Sequence, residues 1–155
     1  MFDRYNEGAR RTLFFARDEA FRLRSQAIEP EHLLLGLIRS GDEPAGELLA
    51  RAHVTLESLR RGVETRNAQS QSRPTFWTRL WGPAATPHDV PFSRACKRAL
   101  RHAAEEADRL RHDDISPGHL LLGILHDAHS VASTMLSGQG MQLGSAREDL
   151  FGGPD

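Results

Sequence analysis

Cysteine is nearly absent from this chain: Cys96 is the only one among 155 residues. That excludes an internal disulfide and any metal site built on several thiolates. Lysine is as scarce, with Lys97 the single example, so arginine carries the positive charge. Neither sign of charge prevails. The formal net charge is −1, which calls for neither a nucleic-acid nor a membrane-surface partner. No apolar run approaches the ~20 residues that a bilayer-spanning helix needs. The N-terminus has an early acid, Asp3, and lacks the apolar core of a secretory signal. The expectation is a cytoplasmic protein.

Signatures of catalysis are missing too. There is no G-x-x-x-x-G-K-[ST] for a nucleotide, no G-x-S-x-G nucleophile elbow and no H-E-x-x-H zinc motif. Cys96 falls on an apolar helical stripe and reads as a small core residue rather than a nucleophile. The chain is therefore expected not to be an enzyme, and to carry no cofactor and no metal.

Repetition is what the sequence does have. Ile28–Ile38 reads IEPEHLLLGLI, and Ile115–Leu125 reads ISPGHLLLGIL. At a constant offset of 87 and without a gap, Tyr5–Glu64 lies over Phe92–Phe151 with 20 identities in 60 positions. Chance would give only a few, so the chain is an internal duplication.

Each copy has a helical period. Ala9, Leu13, Ala16, Ala20 and Leu23 step by four and three, and Cys96, Leu100, Ala103, Ala107 and Leu110 repeat those steps. Each set is one apolar face of a helix of about five turns. Asn6 and Ser93 precede the stripes as candidate caps. A second helix opens at Pro30 or Pro117, where the missing N–H costs nothing. His32 or His119 follows, then a leucine run that is apolar on nearly every side and hence central. Gly36 and Gly123 each cost roughly 0.5–1 kcal/mol relative to alanine in a helix; their presence in both copies predicts a close helix crossing. Two shorter helices follow in each copy, over Pro44–Arg51 and Thr55–Val63, then Val131–Ser137 and Leu143–Leu150. The predicted fold is all-α: two tandem four-helix repeats related by a pseudo-twofold, without strands. The division is 1–64, a linker at 65–91, and 92–155, together one compact domain.

The linker is polar at first and proline-rich at its end, yet it holds Phe76, Trp77, Leu80 and Trp81. The 76/80 and 77/81 spacings put these on one face of a short helix. That face either braces the two repeats, receives a partner, or belongs to a mobile segment; Phe76, Trp77 and Trp81 are the candidate partner-binding residues.

Other clusters are weaker signals. His119, His126 and His129 lie within eleven residues, which raises the alternative of a small histidine-rich metal-binding helical protein. The spacing fits neither H-E-x-x-H nor a cysteine–histidine finger, and the twinning of His119 with His32 favours a structural role. Arginine pairs at 10–11 and 60–61 are interleaved with acids, as on an ordinary solvated helix face. Glu31 stands in the first turn of a helix, where a carboxylate stays charged; it either simply stabilises and caps that helix end, the simpler reading of the residues, or grips a guanidinium through two hydrogen bonds.

On these residues the chain resembles the Clp N-terminal repeat domain, which precedes the AAA+ modules of ClpC- and ClpA-type Hsp100 unfoldases. The family pattern is Phe-Thr, then Glu-Ala-x-x-Leu, then Ile-Gly-Thr-Glu-His-Leu-Leu-Leu-Gly-Leu. The first copy here has Tyr5-Asn6, Glu19 to Leu23 and Ile28 to Leu37; the second has Phe92-Ser93, Glu106 to Leu110 and Ile115 to Ile124. The resemblance implies a non-catalytic recognition domain. It would bind client or adaptor proteins, pass clients to a AAA+ unfoldase and its protease, and be monomeric in isolation. A free-standing copy would instead act as a decoy or an adaptor. In ClpC-like members the motif's glutamate also receives phosphoarginine, which implies a site at Glu31 with Asn6 nearby. The chain departs from that pattern at two points. Pro30 replaces the motif's threonine, and Gly118 replaces the second glutamate. The resemblance therefore implies at most one phosphoarginine pocket.

Overall fold

The computed structural model describes residues 3–70 and 89–152. Eight helices are found among them. The first repeat holds α1 (Glu7–Arg22), α2 (Pro30–Ser40), α3 (Ala45–Arg51) and α4 (Leu56–Ser70). The second holds α5 (Arg94–Arg109), α6 (Pro117–His126), α7 (Val131–Gly138) and α8 (Leu143–Phe151). The all-α class and the paired four-helix repeats match the sequence reading. The boundaries of the short helices agree to within one residue, except at the end of α4. α4 runs on through Ser70, past the expected end at Val63, because no proline or glycine interrupts 64–70. Phe76, Trp77 and Trp81 lie outside the described residues.

The caps explain why the helices begin where they do. The Asn6 side chain accepts a hydrogen bond from the Ala9 amide at 2.9 Å, and Ser93 accepts one from Cys96 at 3.0 Å. α2 and α6 start with a proline and with a capping box in which histidine takes the usual glutamate position. Nδ1 of His32 accepts from the Glu29 amide at 2.9 Å, and Nδ1 of His119 from the Ser116 amide at 2.9 Å. α1 and α5 end through a left-handed arginine, Arg24 at φ 56° and Arg111 at φ 59°.

α2 and α6 are the central helices. Leu33, Leu34 and Leu35, and their counterparts Leu120, Leu121 and Leu122, are fully buried. Gly36 and Gly123 sit at the crossings with α1 and α5. A Cβ on Gly36 would strike the Thr12 carbonyl oxygen and lie 2.9 Å from the Ala16 nitrogen; one on Gly123 would strike the Ala99 carbonyl oxygen and lie 2.9 Å from the Ala103 nitrogen. The obstacles are backbone, so only glycine lets the helices approach this closely.

A buried carboxylate ties three helices together in each repeat. Glu19 of α1 receives Arg60 of α4 at 2.5 and 3.2 Å and Arg39 of α2 at 3.2 Å. Glu106 of α5 receives Arg147 of α8 at 2.6 and 3.0 Å and His126 of α6 at 2.8 Å. Both glutamates are 1% exposed, and a charge buried that deeply requires such partners.

The repeats exchange their leading segments. Although the described residues form no strand, two isolated parallel bridges occur, Tyr5 with Ile115 and Ile28 with Phe92. The Asn6 amide donates to the Ile115 carbonyl at 3.0 Å, and the Ser93 amide donates to the Ile28 carbonyl at 3.0 Å. These two bridges interchange under the 87-residue offset, so the pseudo-twofold passes between them.

Candidate functional site

The exchange decides what surrounds Glu31. The segment running into α5 pairs with Ile28, so the second repeat, not the first, borders the head of α2. Asn6 is carried to the other end of the exchange, beside Ile115 at the head of α6, where a Cβ on Gly8 would lie 3.1 Å from Pro117 Cγ. Glu31 and Asn6 therefore stand at the heads of different central helices, and Ser93 takes at α2 the place that Asn6 has at α6.

A groove of about 410 Å³ opens at the head of α2. Glu29 and Glu31 supply acid on one wall. Arg98 of α5 also lines the groove, with Asp127, His129 and Ser130 from the loop between α6 and α7. Ala95, in the first turn of α5, also borders the groove, and the amides of a helix's first turn attract an anion. The Arg98 guanidinium is half exposed and reaches Asp127 at 3.4 Å. Glu31 is 6% exposed, so its side chain is held against the groove rather than waving in solvent. Beneath it, burial pushes the Cys96 thiol up to about 12, with the Glu29 and Glu31 charges adding to the effect. That thiol is inert as a nucleophile. Sequence reasoning missed Arg98 and Ser130 and had His129 only as a candidate metal ligand, because all three come from the other repeat; the matched pair Arg11/Arg98 in the duplication was the available signal for Arg98.

Pro30 is the first residue of α2 and is buried, as is His32 behind it. Burial pulls the His32 imidazole down to about 4, against the opposing pull of the Glu19 charge. Its Nδ1 makes the cap, while its buried Nε2 has no hydrogen-bond partner. At the head of α6 the arrangement differs. His119 is lowered to about 4 by burial and next by the nearby His112. Its Nε2 meets His112 Nδ1 at 2.9 Å. Gly118, at the position of Glu31, presents no side chain to that end of the molecule. His126 and His129, considered together with His119, do not converge: His126 binds Glu106 and His129 lines the groove. Among the described residues no three His, Cys, Asp or Glu side chains are grouped to hold a metal ion, and no helix is long and apolar enough to cross a membrane.

The family model for the Clp repeat (R) N-terminal domain matches residues 4–139. The chain belongs to the Clp N-terminal repeat family. Its Clp repeats are 30% identical over 151 residues to the negative regulator of genetic competence ClpC/MecB of Bacillus subtilis, and 31% identical over 151 residues to the ClpA homolog of Guillardia theta. Each alignment takes in 97% of this chain but only 17% of the relative, so the chain spans about a sixth of the curated relatives it matches. The N-terminal domain of ClpD from Arabidopsis thaliana superposes with a TM-score of 0.69 at 24% identity, over 97% of this chain and 94% of that one. The Hsp104 N-terminal domain of Candida albicans gives the same TM-score at 15% identity, over 96% and 89%. These likenesses show the Clp N-domain fold. Membership of the family supports a general role in substrate or adaptor interaction within the Clp system.

Proposed function

We propose that this chain is a non-catalytic recognition domain that binds client or adaptor proteins for ATP-dependent unfolding by a Clp-type AAA+ machine, in the cytoplasm, and that it does so through the groove at the head of α2. The observation that carries the reading is the mixed charge lining that groove: the acids Glu29 and Glu31 from the head of α2, with Arg98 from α5, itself in contact with Asp127. A phosphoarginine side chain has the matching character, a guanidinium adjoining a phosphoryl group. Glu31 would hold the guanidinium, while Arg98 and the first turn of α5 would hold the phosphoryl oxygens. The use of the motif's glutamate for phosphoarginine in ClpC-like members supports this choice.

The test is calorimetric titration of the chain with free phosphoarginine, with arginine as control. Saturable binding that is lost in Glu31→Ala supports the reading. Binding unchanged in that variant removes Glu31 from the site, and an absence of binding by the native chain transfers recognition to a surface other than this groove.

A further inference from the structure

Under the 87-residue offset the groove at α2 has a counterpart at α6. Glu29, Pro30 and Glu31 become Ser116, Pro117 and Gly118; Ala95 and Arg98 become Gly8 and Arg11; His129 becomes Asp42. Those residues do assemble. A Cβ on Gly8 would meet both the Asp42 carboxylate and Pro117 Cγ, and Arg11 reaches Asp42 at 3.4 Å, as Arg98 reaches Asp127. What differs is the floor. Phe151, the last residue of α8, stacks on His119 with ring centroids 4.6 Å apart and planes at 18°, and lies 5.2 Å from the His112 ring. A Cβ on Gly118 would stand 2.9 Å from Phe151 Cζ, so the ring occupies the space that a side chain at 118 would enter. In the first repeat the twin of Phe151 is Glu64, which is exposed.

We propose that Phe151 is the built-in occupant of the second groove, and that the pair Gly118/Phe151 decides whether this groove can be entered. The two differences between the repeats are then one change made of two parts. Losing the carboxylate at 118 leaves an apolar hollow beside a neutral histidine. An aromatic ring fills that hollow, stacks on the buried His119, and turns a two-groove domain into a one-groove domain. The obstacle at Gly118 is the far end of a side chain, not backbone, so a residue placed there displaces the ring instead of breaking the helix crossing. This distinguishes position 118 from Gly36 and Gly123.

The proposal takes the first groove as the ligand site, and its test separates the two ideas. The first measurement is a melting-temperature cycle on the full chain with Gly118→Ala, Phe151→Ala and the double variant. Gly118→Ala is expected to lower the melting temperature while Phe151 is present and to have no such effect once it is removed. Additive losses would overturn the occupancy. The second is the stoichiometry of free phosphoarginine. The native chain is expected to bind one equivalent, and Gly118→Glu with Phe151→Ala two, returning to one when Glu31→Ala is added. Two equivalents on the native chain, or on Gly118→Glu with the ring intact and at undiminished affinity, would overturn the proposal. A coupled melting cycle with no phosphoarginine bound by any variant would support the occupancy and instead sink the phosphoarginine reading.

Discussion

The Arg147 guanidinium donates to both carboxylate oxygens of Glu106, at 2.6 and 3.0 Å, joining α8 to α5 across the second repeat. Burial by itself would raise the Glu106 carboxyl. Hydrogen bonds from Arg147 and His126 and the charges of Arg147 and Arg109 outweigh it and hold the group at about 2. A depressed carboxyl contributes stability that is present above its unfolded pKa of about 4.5 and is lost as pH falls toward 2. The shift is worth about 3 kcal/mol. Arg147→Ala leaves the carboxylate buried with too few partners and is expected to cost about 3–5 kcal/mol. It should also weaken the dependence of stability on pH between 4.5 and 2. Chemical denaturation of both proteins across that range checks it; parallel curves would show that Arg147 does not set the carboxyl.

A second pH dependence lies higher. His32 and His119 are both held near 4 by burial, and their Nδ1 atoms must stay unprotonated to accept the capping amides. Their lowered values mean that stability is complete above about 6.5 and declines as pH falls to 4. Glutamine at this position can make the same reach back to the cap residue. The double variant His32→Gln, His119→Gln should keep the helices and flatten stability between pH 6.5 and 4. A slope there equal to that of the native chain would assign the acid sensitivity elsewhere.

Gly36 tests the helix crossing. In isolation, glycine to alanine in a helix favours the helix by about 1 kcal/mol. Here the added Cβ strikes the Thr12 carbonyl oxygen and crowds the Ala16 nitrogen, and neither backbone atom can turn aside. Gly36→Ala is therefore expected to destabilise by about 1–3 kcal/mol, the usual range for overpacking. Gly123→Ala should follow it, since its Cβ meets the Ala99 carbonyl oxygen in the same way. A gain in melting temperature for either variant would contradict the crossing.

Much of this architecture was legible because the duplication doubled every local signal. The stripe of Ala9, Ala16 and Ala20 is buried as its spacing predicts, and Asn6 and Ser93 cap as their positions suggest. The site was less legible, for a non-local reason. The bridges Tyr5–Ile115 and Ile28–Phe92 pair residues from opposite repeats, and no helical period records such a pairing. It placed Asn6 away from Glu31 and brought Arg98 and His129 in. Glu19 and Glu106 were visible as identities, but a charged residue on an apolar face does not disclose burial until Arg60 and Arg147 are seen against it. Phe151 fell one residue beyond the expected end of its helix. Its pairing with Gly118 was present in the duplication as two substitutions, Glu31 to Gly118 and Glu64 to Phe151, whose connection only the packing reveals.

Arg98 separates the two halves of the proposed ligand. Its guanidinium is about half exposed, with a contact to Asp127 at 3.4 Å. An exposed pair of that kind contributes about 0–1 kcal/mol, so Arg98→Ala should leave the melting temperature nearly unchanged. Its effect on binding should be selective. A charge-assisted hydrogen bond to a phosphoryl group is worth about 1.5–3 kcal/mol, so the affinity for free phosphoarginine should fall roughly tenfold or more. Any weak binding of plain arginine, which depends on Glu31, should not fall. Raising the salt concentration should weaken phosphoarginine binding to the native chain more than to Arg98→Ala, because the lost contact is the one between an exposed cation and an anion. Titrations of both ligands against both proteins decide it: equal phosphoarginine affinities would assign the phosphoryl group to the α5 amides alone, and equal losses for both ligands would mean that Arg98 shapes the groove without reading the phosphate.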